Sequence, residues 1–389
     1  MAQALDLIFR GVVDCVTRED LERKLARSKP LRVKLGIDPT RKDIHLGFAV
    51  VLRELRAFQD LGHKAVLIIG DYTAQIGDPS GKSETRPMLA EDEVRANAAS
   101  YLEQMGKILD TRDPARFETR WNGEWFSRLG FLEVVRLAAR LTVARMIERD
   151  DFSKRLKAGV PVGLHELLYP MMQGYDSVAI EADVELGGTD QLFNLLVGRQ
   201  LQPQFGQESQ ICLTTPLLVG LDGQRKMSKS YDNYVGIADP PEQQYGKTMS
   251  IPDAILKDWF VLCTAVPLAE VDALLGGHPM EAKRRLAREI VTIYHGEEAA
   301  ARAEEHFRKT VQERQVPDEM PTFAVPADLG LAALVAAAFS VSRSEARRLI
   351  EQGAVSIDGN VLSDASAPVP VKGGEVLKAG KRRYVRLAR

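Results

Sequence analysis

Two apolar runs of strand length, LRVKLGI at 31–37 and KAVLIIGD at 64–71, flank a single helix-length segment. The second run is almost unbroken, a pattern required of a strand covered on both faces, and such strands belong to parallel sheets. Between them, from His45, the apolar positions Leu46, Ala49, Val50, Leu55, Phe58 and Leu61 recur at helical spacing and stop at Gly62. Strand, helix and strand in succession form a βαβ unit, which commits the chain to an α/β fold on a parallel sheet.

A second strand–turn–helix follows at DVEL (183–186), Gly187-Gly188 and TDQLFNLLVGRQL. The stretch 90–181 reads as mainly helical, as does the chain from Pro240 to about Thr310. Residues 315–330, QVPDEMPTFAVPADLG, carry three prolines and read as a linker. Beyond it SEARRLIEQG suits a short helix, VSIDGNVL and RRYVRL suit short strands, and Asp358-Gly359 marks a hairpin turn. The expected organisation is a Rossmann-like parallel-sheet domain at 1–235 with a helical insertion at about 85–180. An α-helical domain at 236–315, a linker at 316–330 and a small α+β domain at 331–389 complete it. A chain of 389 residues exceeds what one core supports, so several domains are expected.

Charge is unevenly spread. The net charge is only −2, yet residues 331–389 hold ten Lys and Arg against five Asp and Glu. The C-terminal piece therefore carries +5 and suits a polyanion, whereas the rest carries −7. Three widely spaced cysteines make neither a disulfide framework nor a CxxC metal site, which fits a reducing cytoplasm. No run approaches the ~20 apolar residues that span a bilayer, and no signal peptide is evident.

Three constellations carry chemistry. GQRKMSKSYDN (223–233) is a Gly-led loop in which Lys226 and Lys229 alternate with Ser228 and Ser230, a composition able to wrap a polyphosphate. Taken alone, a basic loop is more often a solvated turn. His45 opens the first crossover helix, where free N–H groups and the helix dipole favour phosphate. Gly47 there lets a ring approach the backbone. Tyr169, Gln173 and Asp176 fall at i, i+4 and i+7 and share one helix face, which is either a solvent stripe or the wall of a polar pocket.

The pairing of His45-Leu46-Gly47-Phe48 with Lys226-Met227-Ser228-Lys229-Ser230 resembles the class I aminoacyl-tRNA synthetases, which carry HIGH on the first helix and KMSKS after the last strand. The segments KLGIDPT, IGDPSGKSETRP, LYPMMQGYDSVAIEADVELGGTDQ and GGTDQLFNLLVGR narrow the resemblance to the bacterial tyrosyl-tRNA synthetases, over essentially the whole chain. The tail VSRSEARRLIEQGAVSIDGNVLS resembles the S4 RNA-binding module. Two positions depart from the family pattern: Phe48 stands where it usually has His, so any hydrogen bond made there is lost or reassigned. Lys34 replaces a tyrosine that often aids phenol recognition.

The resemblance implies L-tyrosine, ATP with Mg2+ and tRNA(Tyr) as substrates, with no structural metal. It assigns catalysis to His45, Lys226 and Lys229. ATP contacts would come from Asp38, Thr40, His45, Gly47, Asp190, Lys226, Met227, Ser228, Lys229 and Ser230. Gly36, Asp38, Thr73, Asp78, Tyr169, Gln173, Asp176 and Gln191 would surround tyrosine, with Asp176 accepting from the phenol. Arg343, Arg347, Arg348, Lys381, Arg382 and Arg383 would meet tRNA. A homodimer joined through the helical insertion, around RLTVARMIERDDF, is also implied. Two rival readings are a tryptophanyl-tRNA synthetase and a non-catalytic RNA-binding protein on the same scaffold.

Overall fold

The computed structural model describes residues 2–40, 43–78, 90–312, 320–326, 329–367, 369, 371–380 and 383–388, which form two compact units, Met1–Tyr294 and His295–Arg389. The first is built on six strands: β1 (Asp14–Val16), β2 (Arg32–Ile37), β3 (Lys64–Ile69), β4 (Phe117–Trp121), β5 (Val184–Gly188) and β6 (Ile211–Thr215). Their order is β1-β6-β5-β2-β3-β4. All neighbours run parallel except β1, which pairs antiparallel with β6 at one edge.

The apolar run of β3 is explained by its two covered faces. Ala65, Leu67 and Ile69 join the main core with Leu52, Leu55 and Phe58 of the helix Leu46–Asp60, while Val66 and Ile68 meet Ile180 and Ala182 in a separate cluster. Strand order reverses between β2 and β5, so a crevice opens outside their carboxyl ends, where open α/β sheets bind ligands.

Two corrections concern secondary structure. The stretch 90–181 is mainly helical as expected, but FETRW within it forms β4 at the sheet edge, a strand the sequence reading did not place. All five of its residues are only half-buried, so the segment lacks the apolar run that marked β3. The stretch 316–330 is not wholly linker either: Thr322–Ala324 forms β7 and pairs parallel with a strand at Arg383–Ala388. Helices between Pro241 and Tyr294 contribute Trp259, Phe260, Leu286 and Ile290 to the same core as the sheet.

The second unit contains a five-stranded sheet of order β7-β11-β10-β8-β9, with β8 (Val355–Ile357), β9 (Asn360–Val361), β10 (Val376–Ala379) and β11 (Arg383–Ala388). The helices Leu331–Phe339 and Arg343–Glu351 supply Leu331, Leu334, Val335, Ala346 and Ile350 to its core. The β8–β9 hairpin turns at Asp358 (φ 48°) and Gly359 (φ 83°), the two positive φ values that a tight primed turn requires.

Candidate active site

A cavity of about 690 Å³ opens at the carboxyl ends of β2 and β5. It is lined by all of the expected ATP and tyrosine residues, among them Gly36, Thr40, His45, Asp78, Asp176, Gln191, Ser228 and Ser230. Tertiary contacts draw the two distant motifs together. The segment after the KMSKS loop pairs with the entry to the Leu46–Asp60 helix: Leu46 N donates to Val235 O (2.9 Å) and Ile237 N to Ile44 O (3.0 Å). Gly47 N donates to Met227 Sδ at 3.2 Å. A Cβ at Gly47 would lie 3.1 Å from His45 Nδ1 and 3.2 Å from Met227 Cβ, so the glycine lets the two motifs pack.

These contacts correct one expectation. The first-turn N–H groups are not open to phosphate, since Val235 O, Met227 Sδ and His45 engage those of Leu46, Gly47 and Phe48. His45 is the N-cap, accepting at Nδ1 from Phe48 N over 3.3 Å. Acceptance there leaves the proton on Nε2, which makes that nitrogen a donor. Burial, aided by the positive charge of Lys229, pushes the imidazole pKa down to about 4, so the ring is neutral near pH 7.

Both loop ammonium groups have acidic neighbours. Lys226 Nζ lies 3.3 Å from Asp190 Oδ2, and Lys229 Nζ donates to the backbone oxygen of Asp43 and lies 3.6 Å from its carboxylate. Asn233 holds the loop by accepting from Ser228 N (2.8 Å) and donating to Lys226 O (3.2 Å). Phe48 packs beside Tyr101, with ring centroids 6.3 Å apart, and both rings line the cavity.

The inner end is a polar network. Tyr169 donates to Asp38 Oδ2 (2.8 Å) and Thr73 to Asp38 Oδ1 (2.8 Å). A Cβ at Gly70 would come within 2.3 Å of both Asp38 Oδ1 and Thr73 Oγ1, so only glycine leaves room for that bond. Asp176 accepts from Trp125 Nε1 at 3.0 Å and from Asn122 Nδ2 at 3.4 Å. Burial raises its pKa to about 7, a shift that Lys34 opposes. Lys34 itself points away from the cavity, donating to Gln173 O (2.8 Å), Ser177 Oγ (2.8 Å) and Glu185 Oε1 (2.9 Å).

Sequence reasoning missed Asn122, Trp125 and Gly70. The NG and IIGD segments had turn signals, but nothing local showed which carboxylate they would face. In the second unit Arg343, Arg347, Arg348 and Arg383 are exposed, with Arg383 Nη1 3.3 Å from Glu345. Lys381 and Arg382 lie outside the described residues.

A Rossmann-like sheet whose HxGx helix and KMSKS loop share one cavity defines the class I aminoacyl-tRNA synthetases. The family described as "tRNA synthetases class I (W and Y)" matches residues 26–312, and the S4 domain family matches residues 329–376. The chain is 53% identical to the tyrosine–tRNA ligase of Moorella thermoacetica, covering 100% of this chain and 96% of that one. It is 51% identical to the Thermotoga maritima enzyme, covering 99% and 97%. A solved C-terminally truncated mitochondrial tyrosyl-tRNA synthetase from Coccidioides posadasii is 25% identical with a TM-score of 0.63, over 78% of this chain and 90% of that one. The chain belongs to the tyrosyl-tRNA synthetase family.

Proposed function

We propose that the protein activates L-tyrosine with ATP and transfers the tyrosyl group to the terminal adenosine of tRNA(Tyr). The observation that carries this reading is one cavity bearing His45, Lys226 and Lys229 at its mouth and buried Asp176 at its inner end. The tyrosine carboxylate attacks the α-phosphorus of ATP and pyrophosphate leaves; the adenylate carbonyl is then attacked by a ribose hydroxyl of tRNA, releasing AMP. The protein holds the ligands in line and stabilises charge on the pentacoordinate phosphorus and the departing pyrophosphate. Neutral His45 donates from Nε2, while Lys226 and Lys229 exchange Asp190 and Asp43 for phosphate oxygens. ATP enters with Mg2+ as its counter-ion.

Asp78, Tyr169, Gln173 and Gln191 surround the amino-acid backbone, and Asp176 accepts from the phenol. Trp125 and Asn122 hold that carboxylate, which favours tyrosine over phenylalanine because the phenyl ring carries no donor. Full-length likeness to tyrosine–tRNA ligases supports the same choice. Exposed apolar residues on the insertion, Phe131 (85%), Leu132, Val143 and Leu164, fit burial against a second copy, and we assign the homodimer to that face. The exposed arginines of 331–389 approach tRNA. Among the described residues no helix is long and apolar enough to cross a membrane, and three free cysteines fit a cytoplasmic site of action.

Pyrophosphate exchange measured in parallel with tyrosine, tryptophan and phenylalanine tests the proposal. Tyrosine-dependent exchange is expected. Exchange with tryptophan alone overturns the specificity, and none with any amino acid leaves the RNA-binding rival.

A further inference from the structure

Four side chains close a ring beside the amino-acid end of the cavity. Arg149 Nη2 lies 3.5 Å from Asp78 Oδ1, and Asp78 Oδ2 accepts from Gln191 Nε2 at 3.0 Å. Gln191 Oε1 accepts from Asn194 Nδ2 at 3.0 Å, and Asn194 Oδ1 accepts from Arg149 Nη1 at 3.2 Å. Arg149 belongs to the helical insertion, as the N-cap residue of the helix Asp150–Lys157. Asn194 lies on the helix Leu192–Leu201 after β5. Both are buried, at 5% and 1% exposure. Neither lines the cavity.

A guanidinium has no acceptor. Arg149 therefore forces the oxygen of Asn194 toward itself and the amide nitrogen toward Gln191 and Gln173, whose oxygens accept at 3.0 Å and 2.9 Å. With those oxygens engaged, the amide nitrogens of the two glutamines must face carboxylates, Gln191 donating to Asp78 and Gln173 to Glu185 Oε1 at 3.2 Å. One buried cation thus orients every amide in the chain. It also faces Asp78, the carboxylate that the proposed function places beside the amino-acid backbone, at 3.5 Å. Arg149 is itself fixed, by Asp151 Oδ1 at 2.9 Å from Nε and by the Phe152 ring 5.1 Å from Cζ.

We infer that Arg149, acting with Asn194, is a positioning residue that makes the site selective for an amino acid carrying its α-ammonium group. The inference rests on the tyrosine-activating reading above. It extends the pocket's recognition to two side chains that do not line the cavity.

The test compares tyrosine with its analogue lacking the α-amino group, 3-(4-hydroxyphenyl)propionate, in the full-length enzyme. In pyrophosphate exchange, Arg149→Met is expected to raise the tyrosine KM by about tenfold or more, as leaving a buried partner unsatisfied does. The ATP KM and the inhibition constant of the analogue should hardly change, and Arg149→Lys should recover part of the loss. Asn194→Asp keeps a partner for Arg149 but removes the donors to Gln173 and Gln191, so its tyrosine KM should rise too. This variant decides the matter where Arg149→Met does not fold. Equal losses for tyrosine and analogue, or an unchanged tyrosine KM with lower kcat, overturn the inference alone. Wild-type enzyme without tyrosine-dependent exchange overturns this inference and the functional reading together.

Discussion

The ammonium of Lys34 sits 2.9 Å from Oε1 of Glu185, and neither side chain is exposed to solvent. This residue, which departs from the tyrosine often found there in the family, is thus the buried end of a strut joining β2, β5 and the helix Leu164–Ala179. Removing one member of a buried pair strands the other charge and typically costs about 3–5 kcal/mol. Lys34→Met is expected to lower stability to urea by that order, and Lys34→Met with Glu185→Gln to regain most of it. Additive losses in the double variant would show that the two groups are not coupled.

Asp176 supports two measurements. Asp176→Ala should sharply reduce the preference for tyrosine over phenylalanine in exchange; a site built around a substrate hydroxyl rejects the analogue lacking it, a principle the tyrosine enzymes themselves illustrate. The second concerns pH. Its folded pKa of about 7 lies above the ordinary value near 3.9, so from about pH 4 to 7 the folded state binds more protons than the unfolded one. This group therefore makes stability fall as pH rises through that window. Urea midpoints between pH 5 and 8 should decline more in wild type than in Asp176→Asn.

Lys229→Ala removes a donor that the proposed function assigns to the developing phosphate charge. Loss of a comparable oxyanion donor costs about 10²–10³-fold in rate. A fall of that order in the activation rate, with little change in tyrosine binding, is expected from pre-steady-state measurement. An unaltered rate would remove Lys229 from the catalytic set.

His45 should act as a neutral donor. With its pKa near 4, proton resonances of its ring should not titrate above about pH 5.5 in the free enzyme. The depressed value also fixes a sign: the unfolded chain takes up this proton first. The associated stability is present above about pH 6.5 and lost as pH falls toward 4. An NMR midpoint near 6.5 would contradict the buried N-cap geometry.

The proposed tRNA role of the basic tail is testable apart from amino-acid activation. Changing Arg347 and Arg348 to Ala should leave pyrophosphate exchange intact, weaken tRNA charging and flatten its dependence on salt, because fewer counterions are released. Equal loss of exchange and charging would mark these arginines as structural.

Much of this molecule is written locally. The unbroken run of β3, the helical spacing after His45 and the Asp358-Gly359 turn are each legible because backbone preference and burial act on neighbours in sequence, whereas the paired HxGx and KMSKS segments are legible through their resemblance to a known family. Edge strands were harder: β4 carries no apolar run, and β7 lies among prolines, so both depend on the strand each found beside it.

The sequence by itself determined a parallel α/β sheet, its nucleotide-binding motifs, a polar helix face at Tyr169, Gln173 and Asp176, and a basic tail. Only the tertiary structure decided which groups meet: Lys34 with Glu185, Trp125 with Asp176, Arg149 with Asp78 and Asn194, and Met227 with the amide of Gly47. The reason is physical. A hydrogen bond or buried ion pair is set by distances of about 3 Å, and no local periodicity encodes which remote segment packing will bring that close.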